Sequence, residues 1–202
     1  TWSYLPPIDS FGKAGMVTTD FNSDGKAELI YTSNDSSHTV LRMMQAREGL
    51  PGLYFRCNAP LLYTRPHHIG LVSNQLGEAP HLCLAAADGA VYTFSAETLA
   101  PVDTLYPEIE VEQFLQVPLG ATYRIAALSG GVLYLLNENW QVVDTFDEVE
   151  VTDVAVGDVD LDGEPELVTG GEEGFVLNAA TLQGEDGLAD GFGEQVRIQE
   201  AV

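Results

Sequence analysis

Apolar residues along this chain gather in runs of four to eight, rich in Val, Ile, Leu, Tyr and Phe, and the runs are separated by Gly, Pro, Asn, Asp and Ser. Runs of that length bounded by turn residues predict β-strands rather than helices. Between residues 70 and 106 the runs GLVSNQ, HLCLAAA, AVYTFSA and PVDTLY follow one another with short breaks. They predict four antiparallel strands joined by hairpins. No helix is predicted, because TLAPVDTLY is interrupted by proline and REGLPGLY is short and loop-like.

The pattern recurs. The segments AVYTFSAETLAPVDTL, GVLYLLNENWQVVDTF and EGFVLNAATLQGED align so that Tyr92, Tyr134 and Phe175 fall 42 and 41 residues apart. An apolar run and a Gly- or acid-rich turn precede each of them. ELIYTS and TVLRMMQ supply the same pair of runs in an earlier copy, and Leu29, Leu82, Ile125 and Leu167 then stand 53, 43 and 42 residues apart. A four-stranded antiparallel unit repeating every forty-odd residues is the signature of a β-propeller blade.

The expected fold is therefore all-β, a single repeat domain over 1–202, with about four four-stranded antiparallel blades at approximately 11–56, 69–106, 111–148 and 151–202. Phe11-Gly12 recurs as Phe192-Gly193, 181 residues later. That recurrence leaves open a ring closed by TWSYL or QVRIQEAV and a piece of a larger propeller. Closure is favoured because an exposed blade edge invites association.

Composition narrows the function. Of 202 residues, 45% are hydrophobic and 19% charged, which suits a packed globular chain. The charge is lopsided, with 31 acidic against 8 basic residues and a net −23. A field of that sign repels nucleic-acid phosphates and anionic lipid headgroups and favours cations or cationic partners. No stretch approaches the ~20 apolar residues that span a bilayer, so membrane insertion is not expected. Cys57 and Cys83 are not in a CxxC pair, which excludes a cysteine-built zinc site and leaves one disulfide or two free thiols.

Two segments carry specific chemistry, Asp20 to Leu29 (DFNSDGKAEL) and Asp158 to Leu167 (DVDLDGEPEL). Both read D-x-[DN]-x-D-G-x-x-E-L. Oxygen ligands at positions 1, 3 and 5, a glycine for the sharp turn, a backbone carbonyl at 7 and a carboxylate at 9 can wrap a hard cation. Calcium, with its irregular shell of six to eight oxygens, suits this donor set better than octahedral magnesium. The expected ligands are Asp20, Asn22, Asp24, the Lys26 carbonyl and Glu28 in the first loop. In the second they are Asp158, Asp160, Asp162, the Glu164 carbonyl and Glu166. An EF-hand would need a glutamate at position 12, where Tyr31 and Thr169 stand.

On these residues the chain resembles FG-GAP (integrin α-subunit-like, or VCBS) propeller repeats, with Phe11-Gly12 ahead of the first loop and Gly157 before the second. The resemblance covers about 11–33 and 151–180. It implies that each loop joins the first two strands of a blade, and it implies adhesion or recognition. Glu in place of Asp at position 9 departs from the usual pattern. The middle copies, VSNQLGEAPHL and LQVPLGATYRI, lack the acids, and no metal is expected there. Two calcium ions, in the first and fourth blades, are expected to stabilise the fold rather than act on substrate.

Other candidates are less specific. His67 and His68 are adjacent and point opposite ways on a strand, so they do not chelate one ion, and His38 and His81 are isolated. Catalytic motifs such as G-x-S-x-G and H-E-x-x-H are absent from the sequence. Trp140, at a predicted hairpin tip aligned with Thr98, is a candidate for stacking on a sugar or anchoring a protein, with packing against a neighbouring blade as the alternative. The expected function is a non-catalytic protein- or glycan-binding module, secreted, at the cell surface or periplasmic. The alternatives are a structural subunit self-associating through its terminal strands and a domain of a polysaccharide-active enzyme.

Overall fold

The computed structural model describes residues 11–21, 24–35, 38–46, 53–61, 65–73 and 80–184. Every element among them is a strand. The first sheet comprises β1 (Phe11–Thr19), β2 (Glu28–Asp35), β3 (His38–Ala46) and β4 (Leu53–Leu61). The second comprises β5 (Pro66–Val72), β6 (His81–Ala86), β7 (Val91–Ser95) and β8 (Pro101–Leu105). The third holds β9 (Gln113–Leu119), β10 (Thr122–Ser129), β11 (Val132–Leu136) and β12 (Val142–Phe146). The fourth holds β13 (Val151–Gly157), β14 (Glu166–Gly171) and β15 (Val176–Asn178).

Each sheet is a meander in which sequence neighbours pair. This is the up-and-down blade expected from the repeat. β5 begins at Pro66, upstream of the predicted Gly70, and so takes in both adjacent histidines. A proline is tolerated at the first residue of a strand because it need not donate there. The fourth sheet has three strands among the described residues, with Leu177 also bridging Gly184. TWSYL, QVRIQEAV and Phe192-Gly193, the segments expected to bear on closure, lie outside the described residues.

The chain forms two compact units, 1–114 and 115–202. In the first, Ile30, Leu41 and Met43 of one sheet share a core with Ile69, Leu82, Leu84 and Phe94 of the next. In the second, Val117, Leu128, Leu133 and Leu135 meet Val151, Val154, Leu167 and Leu177. Burial follows strand position. β6 is buried from Leu82 through Ala86 and β10 from Ile125 through Leu128, with no alternation. A strand covered on both faces needs apolar residues on both, and the alanines at 85, 86, 126 and 127 let a neighbouring layer approach closely. The outer strands β8 and β12 are largely exposed. They carry Asp103 and Asp144, whose Oδ1 atoms accept the N–H of Thr104 and Thr145 at 2.8 and 2.9 Å. A carboxylate on an edge strand discourages pairing with another chain.

Candidate metal centres

Both acidic loops connect the first strand of a blade to the second, the place that the family resemblance implies. They close equivalent antiparallel pairs, Thr19 with Glu28 and Gly157 with Glu166. The position-9 glutamate is therefore the first residue of an inner strand, and it is buried: Glu28 is 1% exposed and Glu166 2%. The aspartates ahead of it remain at or near the surface.

Three hydrogen bonds recur in the two loops, whereas the position-5 N–H differs, going from Asp24 to Asp20 at 3.0 Å and from Asp162 to Asp160 at 3.1 Å. The glutamate Oε2 accepts the N–H of the position-2 residue, Phe21 at 3.0 Å and Val159 at 2.6 Å. The first aspartate accepts the glycine N–H at position 6, with Gly25 to Asp20 at 2.7 Å and Gly163 to Asp158 at 3.1 Å. The position-5 aspartate accepts the N–H at position 7, with Lys26 to Asp24 at 2.9 Å and Glu164 to Asp162 at 2.8 Å. These bonds anchor the two residues whose carbonyls are the expected ligands. Gly25 and Gly163 have φ of +82° and +95°, and a Cβ added at either would meet nothing within 4 Å. Glycine is needed there for the backbone angle rather than for space.

The loops differ in how the carboxylates gather. Oxygens of Asp158, Asp160 and Glu166 all lie within 4.8 Å of one another. Asp162 stands outside that set, held by the Glu164 amide. Asp20, Asp24 and Glu28 do not gather to the same degree, and Asn22 lies outside the described residues. Asp158, Asp160 and Glu166 are the only three His, Cys, Asp or Glu residues so clustered among those described. A buried carboxylate is costly unless paired. Glu166 has one backbone donor, and among the described residues no Lys, Arg or His lies within ion-pair distance of it. Three hard oxygen donors around a common point, one of them buried, fit a hard cation.

Sequence reasoning missed the anchor of the first loop. Phe21, a free position in the motif, is 6% exposed and belongs to the core of the first unit. Its aromatic character ahead of the acidic run is the signal that could have found it. Trp140 is a correction. It is 3% exposed, so it offers no face for a sugar or a partner. His67 lies 3.9 Å from Glu110, whereas the His68 ring packs edge-on against Phe114 at 4.9 Å. The adjacent imidazoles thus go to different partners, His67 being the extra residue of a β-bulge at the start of β5.

Cys57 and Cys83 are both free thiols. Burial pushes the Cys83 thiol up to about 12. Cys57 is raised by burial too, against the opposing pull of the Arg56 charge. The Tyr92 hydroxyl donates to Asp88 at 2.7 Å, and that bond, with some burial and the neighbouring negative charge, raises Tyr92 to about 12.

Meandering antiparallel sheets that share a core with a neighbouring sheet in each unit define a protein of the β-propeller class. A crystal structure of BBS1N in complex with ARL6DN, soaked with lead, matches with a TM-score of 0.61 and 19% identity over 85% of this chain and 55% of that one. The mercury-soaked form of the same complex matches at 0.60 and 18%, over 85% and 56%. The chain spans about half the length of these solved structures. No family model matches the sequence, and no curated protein matches it either.

Proposed function

We propose that this chain is a calcium-stabilised β-propeller module of the FG-GAP type that binds a partner protein and carries no catalytic activity of its own. The observation that carries the calcium reading is the cluster of Asp158, Asp160 and Glu166, in which a glutamate 2% exposed shares 4.8 Å with two further carboxylates and has no basic neighbour among the described residues. Its counterpart loop repeats the sequence motif and three of the loop's hydrogen bonds at the same place in another blade. Protein binding is supported by the similar propeller of BBS1N, which is crystallised with ARL6DN. Trp140, the residue singled out for sugar stacking, is buried and gives the glycan alternative no support. A net charge of −23 favours a partner presenting a basic surface.

Calcium here acts on stability. A ligand that binds only the folded state adds RT ln(1 + [L]/Kd), about 2.7 kcal/mol at a hundredfold excess over Kd. We extend the proposal to a calcium-rich compartment outside the cytosol, where sites of ordinary extracellular affinity fill at millimolar calcium. With both cysteines free, that argument rests on calcium alone. Thermal unfolding in millimolar calcium and in excess chelator tests it. A rise of several degrees with calcium, and none with magnesium at the same ionic strength, is expected. Identical curves in calcium and chelator would remove the calcium reading.

A further inference from the structure

The two loops share a motif but not a charge. Residues 158–166 carry Asp158, Asp160, Asp162, Glu164 and Glu166 with no basic residue, a formal −5. Residues 20–28 carry Asp20, Asp24 and Glu28 against Lys26, a formal −2. The first loop also has a neighbour that the second lacks among the described residues. Arg56 Nη1 lies 3.9 Å from Glu28 Oε1. Glu28 Oε2 accepts the Phe21 N–H, and Arg56 approaches the other oxygen of the carboxylate.

The backbone accounts for the placement. β3 and β4 pair Met43 with Cys57 and Met44 with Phe55, which makes Arg56 the extra residue of a β-bulge. A bulge re-aims the side chain it carries, and this one brings Arg56, on the outer strand, to Glu28 two strands away. Its Nη1 is shielded from solvent and has no hydrogen-bond partner among the described residues, where the ionic contact with Glu28 is the compensation on offer.

We propose that Arg56 is a resident cation for the first loop, competing with calcium for Glu28, so that the loops are unequal: the second requires calcium and the first is held without it. This rests on the calcium reading above. A guanidinium and a divalent ion sharing one carboxylate repel, so calcium enters the first loop only as Arg56 withdraws. Affinity in oxygen-ligand loops follows the charge of the donor set, and −5 against −2 acts in the same direction.

The test is calorimetric titration of the whole chain with calcium at fixed ionic strength. D160N silences the second loop, so that D160N, D160N/R56Q and D160N/R56K report on the first. Removing the competing charge in R56Q should tighten first-loop binding roughly tenfold, within the usual range of coupling between sites. R56K, which keeps the charge, should return it to the weak value. R56Q alone should unfold at lower temperature in chelator and recover in calcium. Intact second-loop binding in the unsubstituted chain with first-loop affinity unchanged or weakened by R56Q would overturn the proposal. So would an R56Q chain that stays unfolded in calcium. No heat from either loop of the unsubstituted chain would overturn the calcium reading itself, and the competition with it.

Discussion

Trp140 occupies in its hairpin the place that Leu99 occupies in the preceding blade. Each stands two residues ahead of the outer strand, which begins at Val142 or Pro101, each is buried, and each has a left-handed backbone, φ +61° at Trp140 and +57° at Leu99. The turns close alike: Asn137 donates its N–H to the Gln141 carbonyl as Ser95 does to that of Ala100. Leu182 repeats the arrangement, with φ +52° and 6% exposure. Non-glycine residues take this conformation only at a cost, and burial of a large side chain is what offsets it here.

Trp140→Ala should therefore lose the packing and keep the strained backbone. A loss of about 3–5 kcal/mol is expected, the usual range for a buried Trp truncated to Ala, and Leu99→Ala should lose about 2–5 kcal/mol. Urea denaturation followed by circular dichroism checks both. An effect at Trp140 below 1 kcal/mol would contradict its place in the core.

The cation loop can be separated from the rest of the fold by Glu166→Gln. The amide oxygen can still accept the Val159 N–H, but the buried charge that calls for a cation is gone. The calcium-dependent part of the melting temperature should fall sharply, while the melting temperature in chelator holds or rises. Matched melts in calcium and chelator give the comparison.

Two glycines separate backbone strain from steric exclusion. At Gly163 an added Cβ meets nothing, so Gly163→Ala should cost only the left-handed penalty, about 1–2 kcal/mol. At Gly171 the same atom would run into the backbone carbonyl oxygen of Glu150, which cannot rotate away. Gly171→Ala should cost about 3 kcal/mol or more. The order of the two midpoints in urea is the readout, and the reverse order would refute it.

Alkaline pH bears on the same units. Cys83 is raised from 9.0 to about 12 and Tyr92 from 10.0 to about 12, so in each case the folded state favours the protonated form. That stability is fully present below the unfolded pKa and is lost as pH rises from about 9 for Cys83, and from about 10 for Tyr92, toward 12. Tyr92→Phe should flatten the upper part of this fall in a pH series of urea midpoints.

The thiols should also separate by access. A disulfide reagent at pH 8 should modify half-buried Cys57 well before Cys83, which reacts at the rate of unfolding. Peptide mass mapping over time distinguishes them, and equal rates would count against the burial of Cys83.

Strand runs, their forty-residue recurrence and the two D-x-[DN]-x-D-G-x-x-E loops are properties of local spacing, and the sequence by itself determined them. A strand needs a short apolar run and a turn, and an oxygen-ligand loop needs its acids at fixed offsets from a glycine. Tertiary structure decided what depends on residues far apart in the chain. Trp140 looks like an exposed hairpin tip by its polar neighbours, yet a turn one residue shorter than that of the preceding blade sets it in the position of Leu99. Phe21 holds an unconstrained place in the motif, and only packing of one sheet on the next makes it an anchor. Arg56 meets Glu28 because a bulge between Met43 and Met44 shifts the register of β4, and a bulge leaves no mark in periodicity. Local pattern records which element forms; which side chains meet across elements depends on register and packing.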